Sequence, residues 1–432
     1  MSLMKERVSV AFKHSKEIVI CSAIAVLIGV QLGFISGMFG RALEGIESFR
    51  AGHYIWLVPF MGAAGVVILF LYKHISPNSE QGLNLAIAYN MGEVDKHGEI
   101  KDMGHAQKVG EYPNAYVLLK LTANAIMLLF GASTGKEGTV ATCGAAVGDY
   151  MSRIFHTRRY SRTLLISGVA AAVAGLFQTP LGGMFFALEF SASGLLYYQA
   201  LIPAIIASYT SYYISTVCAY HAFHHSVTLG AHLNGHQLFY VLLAAIAFGL
   251  VGRLFVIALE GAKEYYGKKI KNRYLGILII GIVTAGLLIV CHGGRYCGTG
   301  SGLVGELLSG EPYMIYDFAA KFIFTVICIT IGFSGGEMMP IMCIGAALGA
   351  ATATMFGLPT ELMIVLGCTA VYSSATNTLL APIFIGIEMF GSDIALYIAA
   401  ACIIAFAING NRSVYTKQAH APRSIYGVLR NQ

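Results

Sequence analysis

Long, almost uncharged apolar stretches recur along the whole chain, several close to the roughly 20 residues that a helix needs to cross a bilayer. They lie at about 17–40, 54–75, 197–217, 236–259, 275–291 and 392–409. Charged residues make up 12% of the 432, half the roughly 25% usual in a soluble domain. Such a chain folds as an all-α polytopic membrane protein, with the lipid bilayer as its surroundings. The net charge of +6 sits in short loops between the apolar runs, which excludes a nucleic-acid partner.

Two glycine-rich runs inside this background read as copies of one another. The first is Gly131-Ala132-Ser133-Thr134-Gly135-Lys136-Glu137-Gly138-Thr139, leading to Gly144-Ala145-Ala146. The second, 201 residues later, is Gly332-Phe333-Ser334-Gly335-Gly336-Glu337-Met338-Met339-Pro340, leading to Gly345-Ala346-Ala347. Farther on, at an offset of 199, Thr179-Pro180-Leu181 lies over Thr378-Leu379-Leu380, Phe185 over Phe384 and Glu189 over Glu388. Two homologous halves, roughly 17–217 and 236–416, point to a transporter built from repeats, often inverted, with its site at their interface. Several segments are too short or too glycine-interrupted to cross fully, and residues 163–190 read as two short helices broken at Gln178-Thr179-Pro180. Broken helices leave backbone N–H groups and positive dipole ends at mid-membrane depth, where they favour anions.

A carboxylate within a bilayer costs roughly 2.5–3.5 kcal/mol even on a lenient scale, which makes intramembrane acids functional candidates. Four qualify: Glu137, Glu189, Glu337 and Glu388. Glu189 and Glu388 hold equivalent positions near segment ends and read as carboxylates capping backbone N–H groups. Glu137 and Glu337 sit where glycines bare the backbone, and for them the functional reading is favoured. The two are one residue out of register, since Lys136 lies over Glu337 and Glu137 over Met338. A carboxylate such as Glu137 can occupy an anion site itself, and protonation would let a substrate ion displace it.

Gly135-Lys136-Glu137-Gly138-Thr139 resembles the G-R/K-E-G-P motif of the CLC chloride channels and proton-coupled antiporters. Gly335-Gly336-Glu337-Met338-Met339-Pro340 resembles their G-x-F-x-P motif, and Gly82-Leu83-Asn84-Leu85-Ala86 stands in place of their G-S-G-I-P. Tyr415 matches the tyrosine that closes the anion path. The chain departs from the chloride/proton exchangers at four places: Leu83 replaces a serine, Thr139 a proline, Phe190 a proton-relaying glutamate, and Glu337 an apolar residue. These departures resemble the fluoride-exporting branch, the bacterial fluoride/proton antiporters.

The resemblance implies a CLC-like inverted-repeat fold with broken and re-entrant helices, a homodimer, and fluoride and protons as the transported ions. Glu137 would be the gating, proton-carrying glutamate and Glu337 the second acid of the branch. Leu83, Asn84, Gly135, Gly138, Met338, Met339 and Tyr415 would line the anion site, with Tyr89 standing in for one of the branch's aromatic positions. The alternative within the family is a chloride/proton antiporter or a passive anion channel. No cofactor is implied and no metal.

Residues 1–16 and 417–432 are basic and are expected in the cytoplasm of a bacterial cell, flanking a transmembrane domain over 17–416 in the plasma membrane. With 17 residues after Tyr415, no cytoplasmic regulatory domain is expected. A polar insert near 92–112 reads as a solvated loop, and Tyr220-His221-Ala222-Phe223-His224-His225 as a loop at the membrane surface. Most of the nine cysteines lie in apolar runs and read as buried small hydrophobes. Cys291 and Cys297 flank a glycine-rich loop and are the one candidate pair. An intramembrane enzyme is disfavoured, because the polar residues form no nucleophile–base pair, no HExxH and no two-aspartate signature.

Overall fold

The computed structural model describes residues 2–76, 80–91, 112–113, 115–228 and 233–420. Apart from Tyr112, the polar insert lies outside them. The first half holds α1 (Ser2–Leu57), α2 (Met61–Ile75), α3 (Leu83–Met91), α4 (Tyr116–Leu129), α5 (Glu137–Ile154), α6 (Ser161–Phe177), α7 (Pro180–Glu189) and α8 (Leu201–Val217). The second repeats that order: α9 (Gly235–Lys269), α10 (Arg273–Val290), α11 (Ser301–Leu308), α12 (Asp317–Thr330), α13 (Met338–Phe356), α14 (Thr360–Thr376), α15 (Leu380–Phe390) and α16 (Ala395–Asn409). Long helices open each half, and short ones recur at matching places.

Length separates spanning helices from broken ones. Six helical stretches among the described residues are long and apolar enough to cross a membrane. By contrast α3, α7, α11 and α15 have 9, 10, 8 and 11 residues. At 1.5 Å per residue they reach about 12–17 Å, half of a hydrocarbon core about 30 Å thick. Gln178 and Asn377, both in the left-handed region, end α6 and α14 just before α7 and α15 begin.

The core is made of α5, α6, α13 and α14. Along α6 every residue from Thr163 to Phe177 is buried, as is every residue of α14 from Leu362 to Thr376. A helix that is apolar all round belongs in such a position. Outside them α1 packs on α8 and α9 on α16. These outer helices, with α10, present large apolar side chains such as Leu27, Phe34, Leu250, Leu254 and Val283 on their outer faces.

Where α7 meets α15, the halves cap each other. The Glu388 carboxylate accepts from the Leu181 and Gly182 amides at 3.0 and 2.8 Å, at the start of α7. Glu189 accepts from the Leu380 and Ala381 amides at 3.0 Å each, at the start of α15. Phe185 and Phe384 stack between them with centroids 4.4 Å apart. Each carboxylate satisfies N–H groups that a buried helix start would otherwise leave open. The capping role expected of these two acids is the one they fill.

Three details differ from the sequence expectation. The first helix does not stop with the apolar stretch near 40 but continues to Leu57, with a kink at His53. Gly33 serves packing: a Cβ there would come within 2.6 Å of the Ser211 carbonyl on α8. The loop implied between the apolar stretches at 236–259 and 275–291 is mostly helix, because α9 runs on to Lys269, and Lys268 and Lys269 lie in its last turn, where the dipole favours cations. Cys291 and Cys297 are not paired; all nine cysteines are free, and the Cys297 sulfur packs over Gly131. The segment 221–228 is coil, with the His225 ring 4.0 Å from the Glu361 carboxylate.

Candidate functional site

The two glycine runs lie against each other. The Gly135 amide donates to the Gly336 carbonyl at 2.5 Å, and the Gly336 amide returns a bond to the Gly135 carbonyl at 2.8 Å. These two residues hold the same place in the repeat, so the contact is reciprocal, as in an isologous interface. Only glycine allows it. A Cβ on Gly336 would stand 2.6 Å from the Gly138 nitrogen and 2.7 Å from its Cα.

Buried polar side chains fasten the bridge. Asn124 donates to the Gly135 and Ser334 carbonyls at 3.1 and 3.3 Å, and Thr134 donates to the Ser334 carbonyl. Thr325, equivalent to Asn124 on α12, pairs its hydroxyl with that of Ser133 at 3.0 Å. Tyr72 and Ser334 share a hydroxyl–hydroxyl bond of 2.6 Å.

Helices α5 and α13 start at this bridge, and neither has a side-chain cap. Their first-turn N–H groups therefore face the interior of the protein, the arrangement that attracts anions. Glu137 is the first residue of α5 and 2% exposed. Its carboxylate folds back over Gly135, and the backbone amides of Glu137 and Met339 face it. Its Oε2 has no hydrogen-bond partner among the described residues. The preceding Lys136 turns away, reaching the Tyr220 hydroxyl at 3.5 Å.

Glu337 takes a different position, one residue ahead of α13. It opens onto a cavity of about 340 Å³, which Leu83, Asn84, Gly138, Tyr72 and Lys120 also line. Lys120 and Lys263 are the cations that face it. The register difference read from the sequence thus has a spatial meaning: Glu137 lies across the α13 N-terminus, and Glu337 lines the cavity.

The remaining expected residues fall into four groups. Leu83 starts α3 and is buried; Asn84 Oδ1 beside it accepts from the Lys417 amide at 3.1 Å, tying α3 to the chain after Tyr415. Met338 and Met339 form the first turn of α13, with buried side chains. Tyr415 is buried with its hydroxyl unpartnered among the described residues and its ring 6.3 Å from that of Phe186. Tyr89 lies elsewhere, its ring edge-on to Tyr112 at 4.7 Å, and it is not one of the residues lining the cavity.

Sequence reading missed Asn124, Tyr72, Tyr372 and Lys120. Tyr372 carries another buried hydroxyl without a partner among the described residues, and the two acids Glu137 and Glu337 are among the charges that face it. The signal for Lys120 was available: a charge within an apolar run, repeated 201 residues later as Lys321.

Residues 92–410 match the family described as voltage gated chloride channel. The chain belongs to that family. As a CLC protein it is a multi-pass membrane protein with the inverted-repeat CLC fold. It is 31% identical over 404 residues to the chloride/fluoride channel protein of Pseudomonas syringae pv. tomato, covering 92% of this chain and 85% of that relative. The H(+)/Cl(-) exchange transporter ClcA of Cronobacter sakazakii is 24% identical over 351 residues, covering 75% of this chain and 72% of the relative. Among solved structures, a CLC-type fluoride/proton antiporter matches with a TM-score of 0.87 at 31% identity, over 94% of this chain and 99% of that one. A slow cyanobacterial chloride/proton antiporter matches in fold with a TM-score of 0.78 at 18% identity, over 95% and 98% of the two chains.

Proposed function

We propose that this CLC protein is a fluoride/proton antiporter, a secondary active transporter that exports cytoplasmic fluoride and is driven by proton influx. The observation that carries the reading is the pair of acids at the glycine bridge: Glu137 across an uncapped helix N-terminus, Glu337 on the cavity that Leu83 also lines. Similarity to the chloride/fluoride channel protein and to the CLC-type fluoride/proton antiporter, each at 31% identity, supports it.

Glu137 acts as gate and proton carrier. Ionised, it occupies the place of an anion; protonated, it leaves the amides free for fluoride. Gly138, Met338 and Met339 offer backbone N–H groups there and Tyr415 a hydroxyl, while Gly135, whose own N–H is held by the Gly336 carbonyl, lines the site with its backbone. Fluoride is small and strongly hydrated, so it needs close donors rather than a roomy cavity. Leu83 supplies no hydroxyl for a larger ion, and a protonated Glu337 would donate a strong hydrogen bond to fluoride. The protein works in this reading as a homodimer in the bacterial plasma membrane, both termini in the cytoplasm and one pathway per subunit.

Efflux from liposomes holding the purified protein, with proton uptake recorded, tests the reading. Fluoride should leave roughly tenfold or more faster than chloride, since one charge-assisted hydrogen bond made better to fluoride suffices for that ratio. Equal fluxes would favour the chloride/proton alternative, for which the ClcA similarity speaks. In the same assay Glu337→Gln should cut fluoride flux by about 10–100-fold, the worth of a hydrogen bond to a charged group, at unchanged melting temperature. Native turnover in that variant would leave Glu337 a structural role only.

A further inference from the structure

We propose that the basic pocket between α2 and α10 binds the phosphate of an anionic phospholipid. The pocket has a volume of about 650 Å³, and its wall holds Lys73, Glu80, Lys271 and Arg273. Lys73 comes from the last turn of α2, and Lys271 and Arg273 from the entry to α10. Three cations thus face one carboxylate, and that carboxylate is already matched, since Glu80 pairs with Arg273 at 2.7 Å. The charges of the two exposed lysines are left without a carboxylate in this wall. Lys73 keeps its place over the pocket by an aromatic contact, with its amine 5.9 Å from the centroid of the Tyr274 ring.

The position of the pocket selects a lipid over a soluble anion. Helix α2 ends at the pocket, α10 starts from it, and the two pack on each other. Val67, Phe70 and Lys73 recur every three residues on α2, and Leu275, Ile279 and Ile282 recur at steps of four and three on α10, so each set lies along one face. All five of these apolar side chains are 51–53% exposed, and both helices belong to stretches apolar enough to cross a membrane. Each face therefore runs from apolar side chains to cations as it nears the pocket, with the amphipathic Tyr274 at the boundary, the order found from acyl chains to headgroups. A phospholipid covers the apolar faces with its chains and sets its phosphate among the cations. A soluble anion has no use for the apolar part.

Side chains, not the helix start, supply the attraction. Asn272 Oδ1 accepts from the Tyr274 and Leu275 amides at 3.1 and 3.2 Å and so caps α10. The forked guanidinium of Arg273 has donors enough to keep Glu80 and still reach a phosphate. Glu80 and Arg273 also line the cavity of about 340 Å³ that holds Glu337, which sets the lipid phosphate one ion pair away from that cavity. The site does not depend on which ion the protein carries.

Native mass spectrometry of the full-length protein, titrated in detergent with dioleoylphosphatidylglycerol or dioleoylphosphatidylcholine, tests the site. The wild type should bind phosphatidylglycerol about thirtyfold more tightly than phosphatidylcholine, the worth of two lysines near a membrane surface. The double variant Lys73→Gln with Lys271→Gln should lose that preference at an unchanged melting temperature, since both side chains are exposed. Lys268→Gln with Lys269→Gln removes the same charge from the end of α9, outside the pocket wall, and should keep the preference. A preference that survives in the first double variant overturns the site. An equal loss in both double variants overturns it too, because the attraction would then be a diffuse one of the whole basic surface. Inorganic phosphate added at the lipid's concentration should not displace phosphatidylglycerol, and displacement would assign the pocket to a soluble anion instead.

Discussion

The Glu137→Gln variant is expected to stop proton movement while the protein still folds. Glutamine has the shape of glutamate but cannot take up and release a proton in the working range. The side chain of Glu137 is buried, reaches over Gly135 and faces the Met339 amide, a place where a neutral amide fits as well as a carboxylate. Removing the charge also removes the competition between side chain and ion for the N-terminus of α13. Proton uptake during fluoride efflux should fall to the background of empty liposomes, and the melting temperature should stay within a few degrees, since only a charge-assisted contact is lost. Proton movement that persists at the wild-type ratio to fluoride would take Glu137 out of the mechanism.

Gly336→Ala should be strongly damaging, because the added methyl group strikes the bridge itself. Its Cβ would fall 2.6 Å from the Gly138 nitrogen and 2.7 Å from Gly138 Cα, both backbone atoms that cannot swing aside. The loops would have to part, breaking the bonds of 2.5 and 2.8 Å between Gly135 and Gly336. Overpacking of about 1–3 kcal/mol and two lost hydrogen bonds of about 0.5–1.5 kcal/mol each give roughly 2–6 kcal/mol of destabilisation. Whatever protein still folds would have its helix N-termini displaced by about 1 Å, enough to cost about 100-fold in rate. Gly261→Ala, on an open face of α9 with nothing within 4 Å of the new methyl, is the matched control and should keep both stability and flux. Near-native thermal stability and transport in Gly336→Ala would show that the bridge does not set the site.

Much of this was legible in the residues because it depends on local chemistry. Apolar runs identify the membrane, and the two offsets of 201 and 199 identify the repeat. The break at Gln178-Thr179-Pro180 could be placed because proline opens a helix and cannot continue one. Glu189 and Glu388 could be assigned to capping from their equivalent positions near segment ends, and each caps the opposite half. Helix ends were less legible where packing overrides propensity. Gly33 looks like a stop in sequence and is a contact with α8 in space, and the lysines near 268 look like a loop and are a helix end.

By itself the sequence determined that the chain is a two-half membrane bundle of CLC type with acids at its glycine runs. Only the tertiary structure decided how those acids divide. The bridge between Gly135 and Gly336 sets Glu137 against an amide-lined helix start and Glu337 on a cavity. It also separated Lys120 from Lys321, identical residues at equivalent positions, one set against a tyrosine ring in the cavity wall and the other held by two carbonyls. The physical reason is that a buried charge is defined by what surrounds it. Those surroundings come from loops and helices far apart in sequence, which no local pattern records.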